Sequence, residues 1–134
     1  MGTPIVGPAG VTVYSPPARE LLTKVGKIEV ADATVGFAAF GLPSNAFVAG
    51  VYTISAGANA TQTVNAGFTN GGTELLNAFA PNSTGYATGG AQTGSAVGTV
   101  LSGDKTVYLK ASATLTNPVY VKVEYYIPPV GQAY

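Results

Sequence analysis

Residues 118–127 alternate without a break: Val119, Val121, Val123, Tyr125 and Ile127 share one parity, and Tyr120, Lys122, Glu124 and Tyr126 the other. Successive side chains of a β-strand point to opposite faces, so a period of two commits this segment to a strand with one fully apolar face. Residues 106–113 repeat the pattern, with Val107, Leu109, Ala111 and Ala113 set against Thr106, Tyr108, Lys110 and Ser112. Ser102-Gly103-Asp104 and Leu115-Thr116-Asn117-Pro118 supply turn chemistry on either side. Helical periodicity is nearly absent elsewhere, and Gly, Asn and Pro punctuate the chain about every ten residues.

Further strands are expected at 27–32, 35–40, 47–55, 60–68 and 96–101, with one short helical turn at 73–79 ahead of Pro81. The 47–55 segment is apolar on both faces, Phe47, Ala49 and Val51 opposing Val48, Tyr52 and Ile54. Such a strand lies inside the domain or has one face on a partner. Seven or eight short strands define an all-β domain, an antiparallel β-sandwich. Its expected bounds are 24–127, preceded by an extended N-terminal arm, 1–23, and followed by a short C-terminal extension, 128–134. Pro4, Pro8, Pro16 and Pro17, with Gly2, Gly7 and Gly10, argue against a regular sheet or helix within the arm. Val11-Thr12-Val13-Tyr14 alternates like a short strand that could add to a sheet edge, its own or a neighbour's. The glycine-rich 82–95 segment reads as a long loop.

Composition limits function more sharply than it limits fold. Charged residues are 9% of the 134, where about 25% is usual in a soluble domain. Six basic and six acidic residues cancel, and 33–73 and 75–103 carry no Asp, Glu, Lys or Arg. Zero net charge removes the long-range repulsion that keeps copies apart, so much of the exterior is expected to be covered by neighbours. Scattered basic residues give no phosphate-neutralising patch, which argues against nucleic acid as a partner. The polar punctuation of the uncharged stretches is unlike a membrane-spanning helix, so no membrane partner is expected. The start, Met1-Gly2-Thr3-Pro4, is unlike a signal peptide, and synthesis in the cytoplasm follows as the default.

Catalytic, cofactor and metal sites are all expected to be absent. With no His and no Cys, the commonest general base, the thiol nucleophile and the commonest transition-metal ligands are missing. Gly94-Ser95-Ala96-Val97-Gly98 lacks the glycine spacing of a nucleophile elbow. Gly85-Tyr86-Ala87-Thr88-Gly89-Gly90 lacks the Lys-Ser/Thr ending of a phosphate loop. Glu29 and Asp32 read as a solvated edge rather than a catalytic pair, and no acidic loop suits calcium. Asn59-Ala60-Thr61 and Asn82-Ser83-Thr84 fit the glycan-acceptor pattern but read as turn residues. What remains is tyrosine, with eight copies and a cluster of Tyr108, Tyr120, Tyr125, Tyr126 and Tyr134. Tyrosine suits interfaces because it offers a broad apolar face and one hydroxyl. The candidate interface residues are Val11, Val13, Tyr14, Tyr120, Tyr126 and Tyr134, with Glu124 offsetting Lys122 or a partner's charge. The competing reading puts Tyr125 in the core and leaves the other tyrosines covering the outer sheet.

The order of features from Lys27 to Ile127 resembles the jelly-roll head decoration or cement proteins of phages. The similarity runs through an opening strand (25–30), Phe37-Ala38-Ala39-Phe40-Gly41-Leu42-Pro43, a long strand of valines and aromatics, Ala66-Gly67-Phe68, Val97-Gly98-Thr99-Val100-Leu101, and Val121-Lys122-Val123-Glu124-Tyr125. It covers about three-quarters of the chain and leaves the arm outside. The resemblance implies a jelly-roll-like trimer on the outer surface of a virion, binding the major capsid protein and tying neighbouring capsid subunits together. A receptor-binding or fibre-tip domain, touching a host through 82–95 and the tyrosines, is the alternative.

Overall fold

The computed structural model describes residues 4–6, 12–14, 21–31, 33–59, 61–81, 85–88 and 93–128, with backbone pairing alone described for 4–6, 12–14 and 85–88. Ten strands follow in chain order: β1 (Pro4–Val6), β2 (Thr12–Tyr14), β3 (Leu22–Ile28), β4 (Phe37–Leu42), β5 (Phe47–Ser55), β6 (Val64–Gly67), β7 (Leu76–Phe79), β8 (Gly85–Thr88), β9 (Lys105–Ala111) and β10 (Val119–Tyr126). Eight of them form two four-stranded sheets, in the orders β3-β10-β5-β8 and β4-β9-β6-β7. All pairings are antiparallel. From β3 to β10 each strand crosses to the other sheet, except that β6 and β7 are neighbours in one sheet, and the last strand returns between β3 and β5; this winding is the jelly roll.

The two alternating segments form the centres of the two sheets. In β10, Val119, Val121 and Val123 are wholly buried and Tyr125 is nearly so; in β9, Val107, Leu109 and Ala111 are buried in the same manner. Ile28, Leu42, Val48, Val64, Leu75 and Leu76 complete the core. The expected inward set overran at both ends: Ala113 lies past the end of β9 and is exposed, and Ile127 lies past the end of β10 at 41% exposure. Gly26 marks a close approach of the sheets, since a Cβ there would sit 2.8 Å from both Ala39 Cβ and Leu109 Cδ1.

Two bulges explain strands whose pattern misleads. In β5, Val48 faces Tyr125 and Gly50 faces Glu124, so Ala49 is an extra residue and parity changes across it. Val48, Val51, Thr53 and Ser55 therefore line the core, while Phe47, Tyr52 and Ile54 are half-buried on the other face. This resolves the doubly apolar appearance of 47–55. A second bulge falls between Ala38 and Phe40 in β4.

Four expected elements are corrected. The strand placed at 27–32 lies earlier, at β3, and 29–31 and 33–35 are loop and turn; Gly26 and the exposed Lys24 interrupt the inward parity of Leu22 and Ile28. The helical turn placed at 73–79 is instead β7, because adjacent Leu75 and Leu76 are both buried and Leu75 N–H bonds Ala66 O at 2.8 Å. The strand placed at 96–101 is a turn with Gly98 at φ 85°. It is bonded irregularly to 45–48, through Gly98 N–H to Val48 O at 2.8 Å and Val48 N–H to Thr99 O at 3.0 Å. The loop placed at 82–95 carries β8, which pairs with β5.

The arm, too, holds regular structure: β1 and β2 form an antiparallel ladder of their own, with Pro4 opposite Tyr14, Ile5 opposite Val13 and Val6 opposite Thr12. Of the expected strand at 11–14, residues 12–14 pair within the arm. Sandwich strand β3 begins two residues before the expected domain boundary at 24.

The loops after β3, β5, β7 and β9 gather at one end, and Asn59 ties three of them. Its fully buried Oδ1 accepts from Thr116 N at 2.8 Å and Asn117 N at 2.9 Å, while its own N–H donates to Pro81 O at 2.9 Å. The Asn59 motif is turn chemistry, its side chain closed off from solvent; Asn82 lies outside the described residues. Asn59→Ala orphans two main-chain amides and is expected to cost about 2 kcal/mol. Asn117→Ala, which removes an exposed donor to Ala58 O at 3.0 Å, is expected to cost no more than about 1 kcal/mol. Denaturant unfolding of the two variants checks the order.

Candidate interaction surface

The sandwich has two outer faces, and they differ. On the β4-β9-β6-β7 sheet, the loop 68–75 folds back over the strands. A Cβ on Gly67 would lie 2.3 Å from the Gly72 carbonyl carbon, so only glycine lets the loop lie this close. Glu74 Oε1 accepts from Phe68 N at 2.9 Å, Gly72 N bonds Thr69 O at 2.8 Å, and Asn70 Nδ2 donates to Val35 O at 3.2 Å. That face is partly covered by the chain itself.

The outer face of the β3-β10-β5-β8 sheet carries aromatic and aliphatic side chains instead. Cross-strand rows run Lys27, Tyr120, Ile54, and then Val25, Lys122, Tyr52. Further along, Tyr126 stands opposite Phe47, their ring centroids 6.5 Å apart. Val25 is 51% exposed and Tyr120 36%. The charges on this face are neutralised locally: Lys27 Nζ lies 3.2 Å from Glu29 Oε1, and Lys122 Nζ 3.4 Å from Glu124 Oε2. Both ammonium groups also sit over rings, Lys27 at 5.6 Å from the Tyr120 centroid and Lys122 at 5.2 Å from that of Tyr52. The hydrogen bond to Glu29 is the main cause that holds the Lys27 pKa above its ordinary value, with Tyr120 adding to it. The face is therefore amphipathic in texture but neutral in charge.

Of the expected interface residues, Tyr120 and Tyr126 lie on this face. Glu124 pairs with Lys122, as its position between tyrosines suggested. The tyrosine cluster does not exist as one patch: Tyr108 is on the outer side of the other sheet and Tyr125 is in the core at 5% exposure. Val13 and Tyr14 fall in β2, and Val11 and Tyr134 lie outside the described residues. Sequence reasoning did not assign Tyr52, Ile54, Phe47 and Val25 to the surface; the period-two pattern of 47–55 held the signal for three of them, obscured by the bulge at Ala49.

The remaining features offer little chemistry. Among the described residues no group of three His, Cys, Asp or Glu side chains could hold a metal, and no helix is long and apolar enough to cross a membrane. An open cleft of about 530 Å³ lies between the sheets, lined in part by Lys24, Pro43, Asp104, Lys105 and Tyr125. Asp104 Oδ1 in it is engaged by Ser44 N at 2.8 Å.

The fold places the chain among jelly-roll β-sandwiches. It is similar to a chain of the cyanophage Pam1 capsid asymmetric unit, with a TM-score of 0.57, 21% identity, and coverage of 94% of this chain and 100% of that one. It is also similar to a chain in the acid-stable capsid structure of the Helicobacter pylori bacteriophage KHP30, with a TM-score of 0.52, 15% identity, and coverage of 83% and 94%. At these identities the likeness is one of fold. No protein-family model matches the chain, and no curated protein matches it.

Truncating the two kinds of tyrosine separates surface from core. Tyr125→Ala is expected to lower stability by about 3 kcal/mol or more, and Tyr120→Ala by no more than about 1 kcal/mol. Thermal unfolding of both variants is the measurement, and equal losses would place Tyr120 in the packing.

Proposed function

We propose that the chain is a structural protein of a phage virion, a decoration or cement protein that sits on the outer surface of the head and ties major capsid proteins together as a homo-oligomer, most simply a trimer. The observation that carries this reading is the near end-to-end match of the jelly roll to chains of two phage capsid structures. The composition agrees with it. A surface this poor in charge, with a neutral tyrosine-bearing face, loses little by desolvation when it is covered. Many weak apolar contacts, repeated over a symmetric shell, add to effectively permanent attachment. No catalytic role is part of the proposal. The alternative, a receptor-binding tip, rests on the 82–95 segment, of which four residues are strand β8 rather than free loop.

Purified full-length chain, added to heads of its own phage that lack it, is expected to co-sediment to saturation and to appear as added density on the outside in electron images. Native mass measurement is expected to give trimers. Failure to co-sediment, or density confined to the interior, would overturn the assignment.

A further inference from the structure

The chain's edges, faces and terminal segments differ in how they are protected. Edge strand β3 carries Lys24 and Lys27, and edge strand β7 is kinked by Ala78 at φ 51°, whose N–H is taken by Asn65 Oδ1 at 2.7 Å. Charges and kinks of this kind deter strand addition. The outer face of β3-β10-β5-β8 carries its charges, Lys27, Lys122 and Glu124, within ion pairs, and around them Val25 and Tyr120 are exposed and Ile54, Phe47 and Tyr126 half-exposed. Meanwhile β1 and β2, three residues each, pair with each other and with neither sheet of the sandwich. A two-stranded ladder is marginal in water unless an apolar surface covers it.

We infer that the β1–β2 hairpin of one copy packs on the outer tyrosine-bearing face of a second copy. The sequence of the hairpin suits that face. Residues 1–18 contain no Asp, Glu, Lys or Arg, and the strands contribute Ile5, Val6, Val13 and Tyr14. The receiving face has its lysines paired with its own glutamates, so a neutral apolar occupant meets no unpaired charge. Residues 15–21 join β2 to β3, and seven residues span at most about 25 Å. Four strands are about 14 Å across from first to last, so the connection can carry the hairpin past the sheet. It leaves from edge strand β3, at the margin of the sheet. In its own copy the hairpin pairs with neither sheet of the sandwich, which leaves it for a neighbour.

This inference rests on the homo-oligomer reading above and names the contact that makes it. The chain has no cysteine, so engineered pairs report cleanly. Thr12→Cys and Val13→Cys, adjacent positions that test both faces of the ladder, are each mixed in the full-length chain with a Val25→Cys copy and oxidised. Heterodimer yield with one of the two is expected to exceed that with a Thr106→Cys copy, whose thiol lies on the other sheet. Yields no greater than this control, or a bond formed only within one chain when a single chain carries both cysteines, would overturn the inference. In parallel, Tyr120→Lys, with an unfolding temperature close to that of the parent, is expected to weaken self-association more than about tenfold; unchanged association would also overturn it. Capsid co-sedimentation without the inter-copy bond sinks this contact alone, whereas the bond without co-sedimentation sinks the capsid reading alone.

Discussion

The separation of two side-chain faces along β10 is the constraint on which the structure depends. One parity, Val119, Val121, Val123 and Tyr125, fills the centre of the core, and the other supplies Tyr120, Lys122, Glu124 and Tyr126 to the open face. Because β10 pairs with β3 on one side and β5 on the other, its register sets that of the whole sheet. A slip by one residue would put Lys122 and Glu124 into the core and the valines outside. The same strand thus builds the core of the domain and its exposed tyrosine-bearing face.

The scarcity of charge takes on meaning through the two outer faces. One is screened by the chain's own 68–75 loop, lying on Gly67 and pinned by Asn70 to Val35. The other is left with valine, isoleucine and aromatic rings, its ammonium groups matched to carboxylates and seated over tyrosines. Self-cover on one side and neutrality on the other is the arrangement that suits a part which meets neighbours on a fixed face. The fold alone, shared with chains of two phage capsids, does not specify such an asymmetry.

The all-β class, the sandwich and the two central strands were legible in the sequence because 106–113 and 118–127 alternate without interruption. The jelly-roll order was accessible only through resemblance, since strand pairing is a matter of long-range contacts that local pattern does not encode. Errors fell where local pattern and tertiary demand part company. Gly26 shortened the visible alternation of β3, because close approach of the sheets required the absence of a side chain. The helical turn expected at 73–79 is loop and strand, because adjacent Leu75 and Leu76 are both buried, one ending the 68–75 loop and the other beginning β7. The outward placement of Tyr120 and Tyr126 could be read from parity alone. Tyr108 could not be assigned to the opposite sheet without the fold, and Ile54 and Phe47 were masked by the extra residue at Ala49.

The position of β10 also orders events during synthesis. β10 follows the other strands of the sandwich in the chain and fills the gap between β3 and β5, so a nascent chain that has not yet reached it has two unmatched strand edges and an incomplete core. The sandwich closes only once β10 joins it.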